Sequence, residues 1–110
     1  MNVESETIDG ALILVPSGRV DSNSAGDLES AVRDALEASD KIVLDLAKVP
    51  YISSAGLRVV LLCAKELKAK NGGFALCGLS ENVMDVFQLS GFSNILEIAD
   101  DRAAAISAIS

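Results

Sequence analysis

The chain has 110 residues, of which 50% are hydrophobic, 9 are basic and 16 acidic, for a formal charge of −7, and it contains no histidine. That length and apolar content allow one compact domain with its own core, and no apolar run approaches the ~20 residues that span a bilayer. The acidity and the scarcity of aromatic residues argue against nucleic-acid binding, and the missing histidine removes Ser-His-Asp triads and histidine metal sites.

The polar, acidic start MNVESETIDG has neither a basic region nor an apolar signal stretch, so a cytoplasmic protein without membrane insertion is expected. Glu4 to Ile8 alternates weakly as a short strand, Asp9-Gly10 is a hairpin turn signal, and Ala11 to Pro16 is a buried strand. Gly18-Arg19-Val20-Asp21 and Ser22-Asn23-Ser24 lead into a helix from Ala25, with apolar residues at Leu28, Val32, Ala35 and Leu36, ending near Ser39-Asp40. Lys41 to Leu46 reads as a central strand. A linker, Ala47 to Tyr51, contains Pro50, which disfavours regular structure before it.

After Ile52-Ser53-Ser54-Ala55-Gly56 a long helix is expected, with Leu57, Val60, Leu61, Ala64 and Leu67 on its apolar face and Arg58, Lys65, Lys68 and Lys70 able to reach water. Asn71-Gly72-Gly73 is a helix stop, and Phe74 to Cys77 another strand. Ser80-Glu81 opens a third helix with Val83, Val86, Phe87 and Leu89 turned inward, stopped by Ser90-Gly91. Ile95 to Ile98 is a last strand, and Asp100-Asp101 leads an alanine-rich helix, Arg102 to Ile109. The order β-β-α-β-α-β-α-β-α predicts a single α/β domain over residues 1–110, with a mixed, mostly parallel sheet and about four helices. Cys63 and Cys77 lie far apart in apolar patterns and are expected as core thiols.

Chemistry concentrates in VLDLAKVPYISSAGLRVVLL, residues 43–62. A buried strand delivers a short loop to the start of a helix, with two serines at the junction. Free N–H groups and the positive helix end favour an anion there. A phosphorylated serine at that position carries a charge of about −1.5 to −2 where the helix tolerates it. Gly56 removes a side chain from the first turn and leaves room for a close approach, at a helix-propensity cost of roughly 1 kcal/mol. By local physics alone, an ordinary serine N-cap is the more common reason for such a pair.

DLAKVPYISSAGLRVVL resembles the signature of the STAS domain family, named for sulfate transporters and anti-sigma factor antagonists. Gly18-Arg19-Val20-Asp21 resembles the family's turn before its first helix, Asn71-Gly72-Gly73-Phe74 its turn after the second, and VMDVFQLSGF, residues 83–92, its third helix. The resemblance covers nearly the whole chain and implies an anti-sigma factor antagonist, not an enzyme. It implies that Ser54 is phosphorylated by an anti-sigma factor that is itself a serine kinase of the histidine-kinase-like ATPase type, with a serine phosphatase resetting the switch. The unphosphorylated form binds the anti-sigma factor and frees the sigma factor. Partner contact is then expected at Asp21, Ser22, Asn23, Ser53, Ser54, Ala55, Gly56 and Arg58, and near Leu79-Ser80, with Ser53 as an alternative phosphoacceptor. Asp21 matches the family's acidic residue beside the phosphosite and reads equally as a helix cap. The chain departs from some members at Ser53 (Asp there), Ala55 (Ser) and Ala47 (Ser).

Two other readings are a STAS subunit of a transporter or larger signalling complex without phosphorylation, and a catalytic protein. Catalysis has little to stand on: there is no phosphate-binding G-x-x-x-x-G-K-[ST] loop, and only Asp21 and Asp45 are expected near Ser54. No motif implies a cofactor, and a receiver domain would need clustered strand-end acids that VLDLAK does not supply.

Overall fold

The computed structural model describes residues 1–110. Strands β1 (Asn2–Ile8) and β2 (Ala11–Ser17) pair as an antiparallel hairpin, in register from Asn2 opposite Ser17 to Ile8 opposite Ala11. Asp9 (φ 51°) and Gly10 (φ 83°) both take positive φ, the two-residue turn whose twist suits a hairpin. β1 begins two residues earlier than its weak alternation suggests, because pairing along the whole of β2 satisfies its backbone whatever its side chains.

Helix α1 (Ala25–Ala38) precedes β3 (Lys41–Asp45), α2 (Ser54–Ala69) precedes β4 (Gly73–Cys77), α3 (Glu81–Leu89) precedes β5 (Ile98–Ala99), and α4 (Arg102–Ile109) closes the chain. The sheet runs β1-β2-β3-β4-β5, parallel from β2 onward. Side-chain alternation divides the core. Leu14, Ile42, Leu44 and Leu76 face α1, α2 and α3, meeting Leu28, Val32, Val60 and Phe87. Ile13, Val15, Val43, Ala75 and Cys77 face α4 through Ala105 and Ile106. The first cluster holds 20 buried residues and the second 8, so most hydrophobic stabilisation lies on the three-helix face.

Two expectations at the C-terminal side need correction. Leu89 is 90% exposed. Val83 and Phe87, one turn apart, are the buried stripe of α3, and a residue two places after Phe87 points the other way. The strand expected over Ile95 to Ile98 shrinks to Ile98–Ala99: Gly91 (φ 80°) turns the chain into a 3₁₀ turn, Phe92–Asn94, which leaves Ile95 71% exposed. Cys63 and Cys77 are buried free thiols; burial pushes Cys63 up to about 12 and Cys77, beside the Asp45 carboxylate, up to about 11, so neither is a thiolate at neutral pH.

Candidate functional site

The loop from β3 to α2 is anchored from below and from the side. Leu46, Val49 and Ile52 are buried and plug it into the core. Residues 18–20 run alongside: Gly18 N donates to Lys48 O (2.9 Å), Val20 N to Tyr51 O (2.9 Å), and Ser53 N to Val20 O (2.8 Å), with Val20 and Ile52 forming a parallel bridge. The loop therefore presents its two serines from a fixed frame.

The serines divide their work. Ser53 is extended (φ −91°, ψ 175°) and is the N-cap, its Oγ accepting from Gly56 N at 3.4 Å while its carbonyl accepts from Leu57 N at 2.9 Å. Ser54 is the first residue inside α2, is exposed, and takes no part in the cap bond. A hydroxyl at this position points to solvent beside unsatisfied N–H groups and the positive end of a 16-residue helix. Replacing Ser53 by alanine removes the cap and should cost about 1 kcal/mol in a urea melt, leaving the Ser54 hydroxyl available.

Gly56 differs from expectation. It is buried, and a Cβ there would stand 2.6 Å from Val20 Cγ1 and 2.7 Å from Ile52 Cγ1. The missing side chain makes room for the protein's own core, not for an approaching partner. Ala in a helix gains about 1 kcal/mol over Gly, but overpacking two buried β-branched side chains costs about 1–3 kcal/mol. Gly56→Ala is therefore expected to lower stability, by about 1 kcal/mol net, in denaturant titrations.

Asp21 lies next to the bridge residue Val20. Its Oδ1 accepts from Asn23 N (2.9 Å), Ser24 N (3.2 Å) and Ser24 Oγ (3.3 Å), while Ala25 N bonds its carbonyl (2.9 Å). The Asn23 N–H, then those of Ser24 and the nearby Arg19 charge, hold its carboxyl below the usual carboxylate range. A depressed folded pKa means that this turn contributes stability above the ordinary carboxylate pKa and loses it as pH falls through the lowered value. Asp21 thus builds the start of α1 and stays half-buried, while Ser22 and Asn23 are exposed beside it. Ala55 is half-buried, and Arg58, one turn beyond Ser54, is exposed on the same side of α2.

Asp45, expected near Ser54, faces away from it. Its carboxylate is only 9% exposed and bonds Arg102 Nε at 2.6 Å and Ala47 N at 3.0 Å, on the α4 side of the sheet. Arg102 also pairs with Glu6. Asp45 and Asp21 therefore do not converge, and no acid pair stands at the serines. The structure adds one feature near the site: the Arg19 guanidinium lies over the Tyr51 ring, 4.3 Å from its centroid. Tyr51 is 38% exposed, so the pair forms a cation-π plate at the surface of the segment that carries Ser53. Nothing local in the sequence links these two residues; the 18–20 and 46–53 segments meet only through the fold.

The STAS domain family model matches residues 2–105. The chain is 43% identical over 109 residues to the Bordetella bronchiseptica protein BtrV, provisionally named an anti-sigma factor antagonist, covering 98% of this chain and 94% of that one. It is 28% identical to the anti-sigma F factor antagonist of Paenibacillus polymyxa, over 97% and 93% of the two chains. A crystal structure from Thermotoga maritima, provisionally described as an anti-sigma factor antagonist, superposes with a TM-score of 0.91 at 28% identity, covering 97% of this chain and 93% of that one. With the family model spanning nearly its whole length, this chain belongs to the STAS domain family.

Proposed function

We propose that the chain is an anti-sigma factor antagonist, a binding switch whose state is set by phosphorylation of Ser54. The observation that carries this reading is the exposed Ser54 hydroxyl at the first position of α2, next to a serine that already caps the helix. Relatives that share its full length carry the antagonist name. In the unphosphorylated state the face around Ser54, with Asp21 to Asn23, Ala55 and Arg58, docks on an anti-sigma factor and frees the sigma factor. Gly56 supports that face from beneath. The anti-sigma factor is a serine kinase of the histidine-kinase-like ATPase type, and a serine phosphatase reverses the mark. The protein acts by binding and not by catalysis, in the cytoplasm, where its partners work; no helix is long and apolar enough to cross a membrane.

The physical basis is electrostatic. A phosphate on Ser54 adds about −1.5 to −2 in charge. Its own helix terminus and Arg58 tolerate that charge, whereas a surface docked against a neutral hydroxyl meets both bulk and an unmatched anion.

Phosphosite mapping tests the reading. The protein is incubated with its anti-sigma kinase and ATP and digested for mass spectrometry. Phosphate is expected on Ser54. Phosphate on neither Ser54 nor Ser53, or co-purification with transporter subunits and no such kinase, would count against the switch.

A further inference from the structure

Along the second half of α2, from Leu61 onward, lies an open groove of about 1120 Å³. Leu61, Ala64 and Leu67 of α2 form one wall, Ile95 and Leu96 the other, with Phe74 of β4 beneath. Lys65 and Lys68 line the α2 side. Both are exposed, and neither belongs to any of the ion pairs, whose cations are the N-terminus, Arg33, Lys70 and Arg102. Glu97 is the one acid along the groove, on the far wall, so the basic rim runs along α2 alone. The groove exists because α3 has only nine residues and the chain after it makes a 3₁₀ turn in place of a longer strand.

The outer face of α3 has the complementary chemistry. Leu89 is 90% exposed, the most exposed of the chain's large hydrophobic side chains. Asp85 precedes it by one helical turn, is exposed, and is in no ion pair. An acid and a leucine on one helical stripe match a basic rim over an apolar floor. Groove and stripe are neighbours, joined through the turn Phe92–Asn94.

From this match we propose that a second copy of the chain fills the groove: α3 of each protomer lies along the groove of the other, Leu89 on the apolar floor and Asp85 toward Lys65 and Lys68. A twofold axis makes the two contacts identical and closes the assembly as a dimer. The α2 wall of the groove runs from Leu61 to Lys68, seven to fourteen residues from Ser54 and so roughly 10 to 21 Å from it along the helix, which leaves Ser54 itself uncovered in the dimer. This proposal stands independently of the switch.

Sedimentation velocity across the micromolar to millimolar range tests it, with thermal melts followed by circular dichroism to establish that each variant is folded. Wild type is expected to show a concentration-dependent monomer–dimer equilibrium. Leu89→Asp, and separately Lys65→Glu with Lys68→Glu, should each weaken dimerisation by at least about tenfold. Adding Asp85→Lys to the double lysine reversal should restore most of it. A wild type that stays monomeric overturns the proposal. So does a Leu89→Asp variant that dimerises as wild type, or a charge swap that restores nothing. A monomeric wild type whose Ala64, Lys68 and Leu96 amides shift on titration with dodecanoate would assign the groove to an amphiphilic small molecule instead.

Discussion

Ser54→Asp is expected to weaken binding of the anti-sigma factor by roughly a hundredfold, about 2.7 kcal/mol, while Ser54→Ala binds as wild type and accepts no phosphate. The argument rests on where the side chain stands. Ser54 is exposed at the start of α2 and is spared from capping by Ser53, so either substitution leaves the helix start intact. Stability should then be nearly unchanged in both variants, and any loss of affinity belongs to the interface. An anion introduced against a surface fitted to a hydroxyl is desolvated without a matching cation, which costs several kcal/mol at a tight interface. Aspartate carries one charge and lacks the three phosphate oxygens, so the phosphorylated protein should bind more weakly still. Isothermal titration of the three forms against the anti-sigma factor provides the comparison. Equal affinity for Ser54→Asp and wild type would rule out the charge mechanism.

Arg102→Ala should lower folding stability by about 2–3 kcal/mol. Asp45 is 7% exposed, and its second oxygen depends on Arg102 Nε at 2.6 Å. Removing the guanidinium strands a buried carboxylate that keeps only the Ala47 N–H. The Arg102 side chain is 35% exposed and Glu6 53% exposed, so the Glu6 arm adds little and water moderates the loss. The effect should be local as well as global. Arg102 opens α4, whose Ala105 and Ile106 cover Cys77 and the lower core cluster. The variant should therefore expose the Cys77 thiol to a disulfide reagent faster than wild type, with Cys63, on the buried face of α2, lagging behind. In urea melts, Asp45→Asn combined with Arg102→Met should cost less than Arg102→Ala alone, since the stranded charge is gone. If Arg102→Ala melts like wild type, the pair contributes nothing.

The two variants also separate two kinds of position. The placement of Ser54 was readable from residue order: strand, short loop, helix start, serine. Its neighbours were less readable. Two adjacent serines at a helix start look equivalent in sequence, and only the backbone, extended at Ser53 and helical from Ser54, assigns the cap to the first and leaves the second free. Gly56 suggested an open approach, but its cause is Val20 and Ile52 packed against it. Asp45 sat within the family-like stretch and yet faces the other side of the sheet, because alternation along β3 turns it toward α4.

What the amino-acid order determined by itself was the element sequence, the mixed sheet, the hairpin at Asp9-Gly10, the first two helices and the position of Ser54. Periodicity, turn chemistry and caps act over a few residues, and these signals were strong there. The tertiary structure alone decided that Arg19 stacks on Tyr51, that Arg102 reaches Asp45 across 57 residues of chain, that Leu89 and Ile95 face solvent, and that a basic-rimmed groove opens beside α2. Each of these depends on strand register and on which helix covers which face. Such contacts join segments remote in the chain, so no local pattern of residues encodes them.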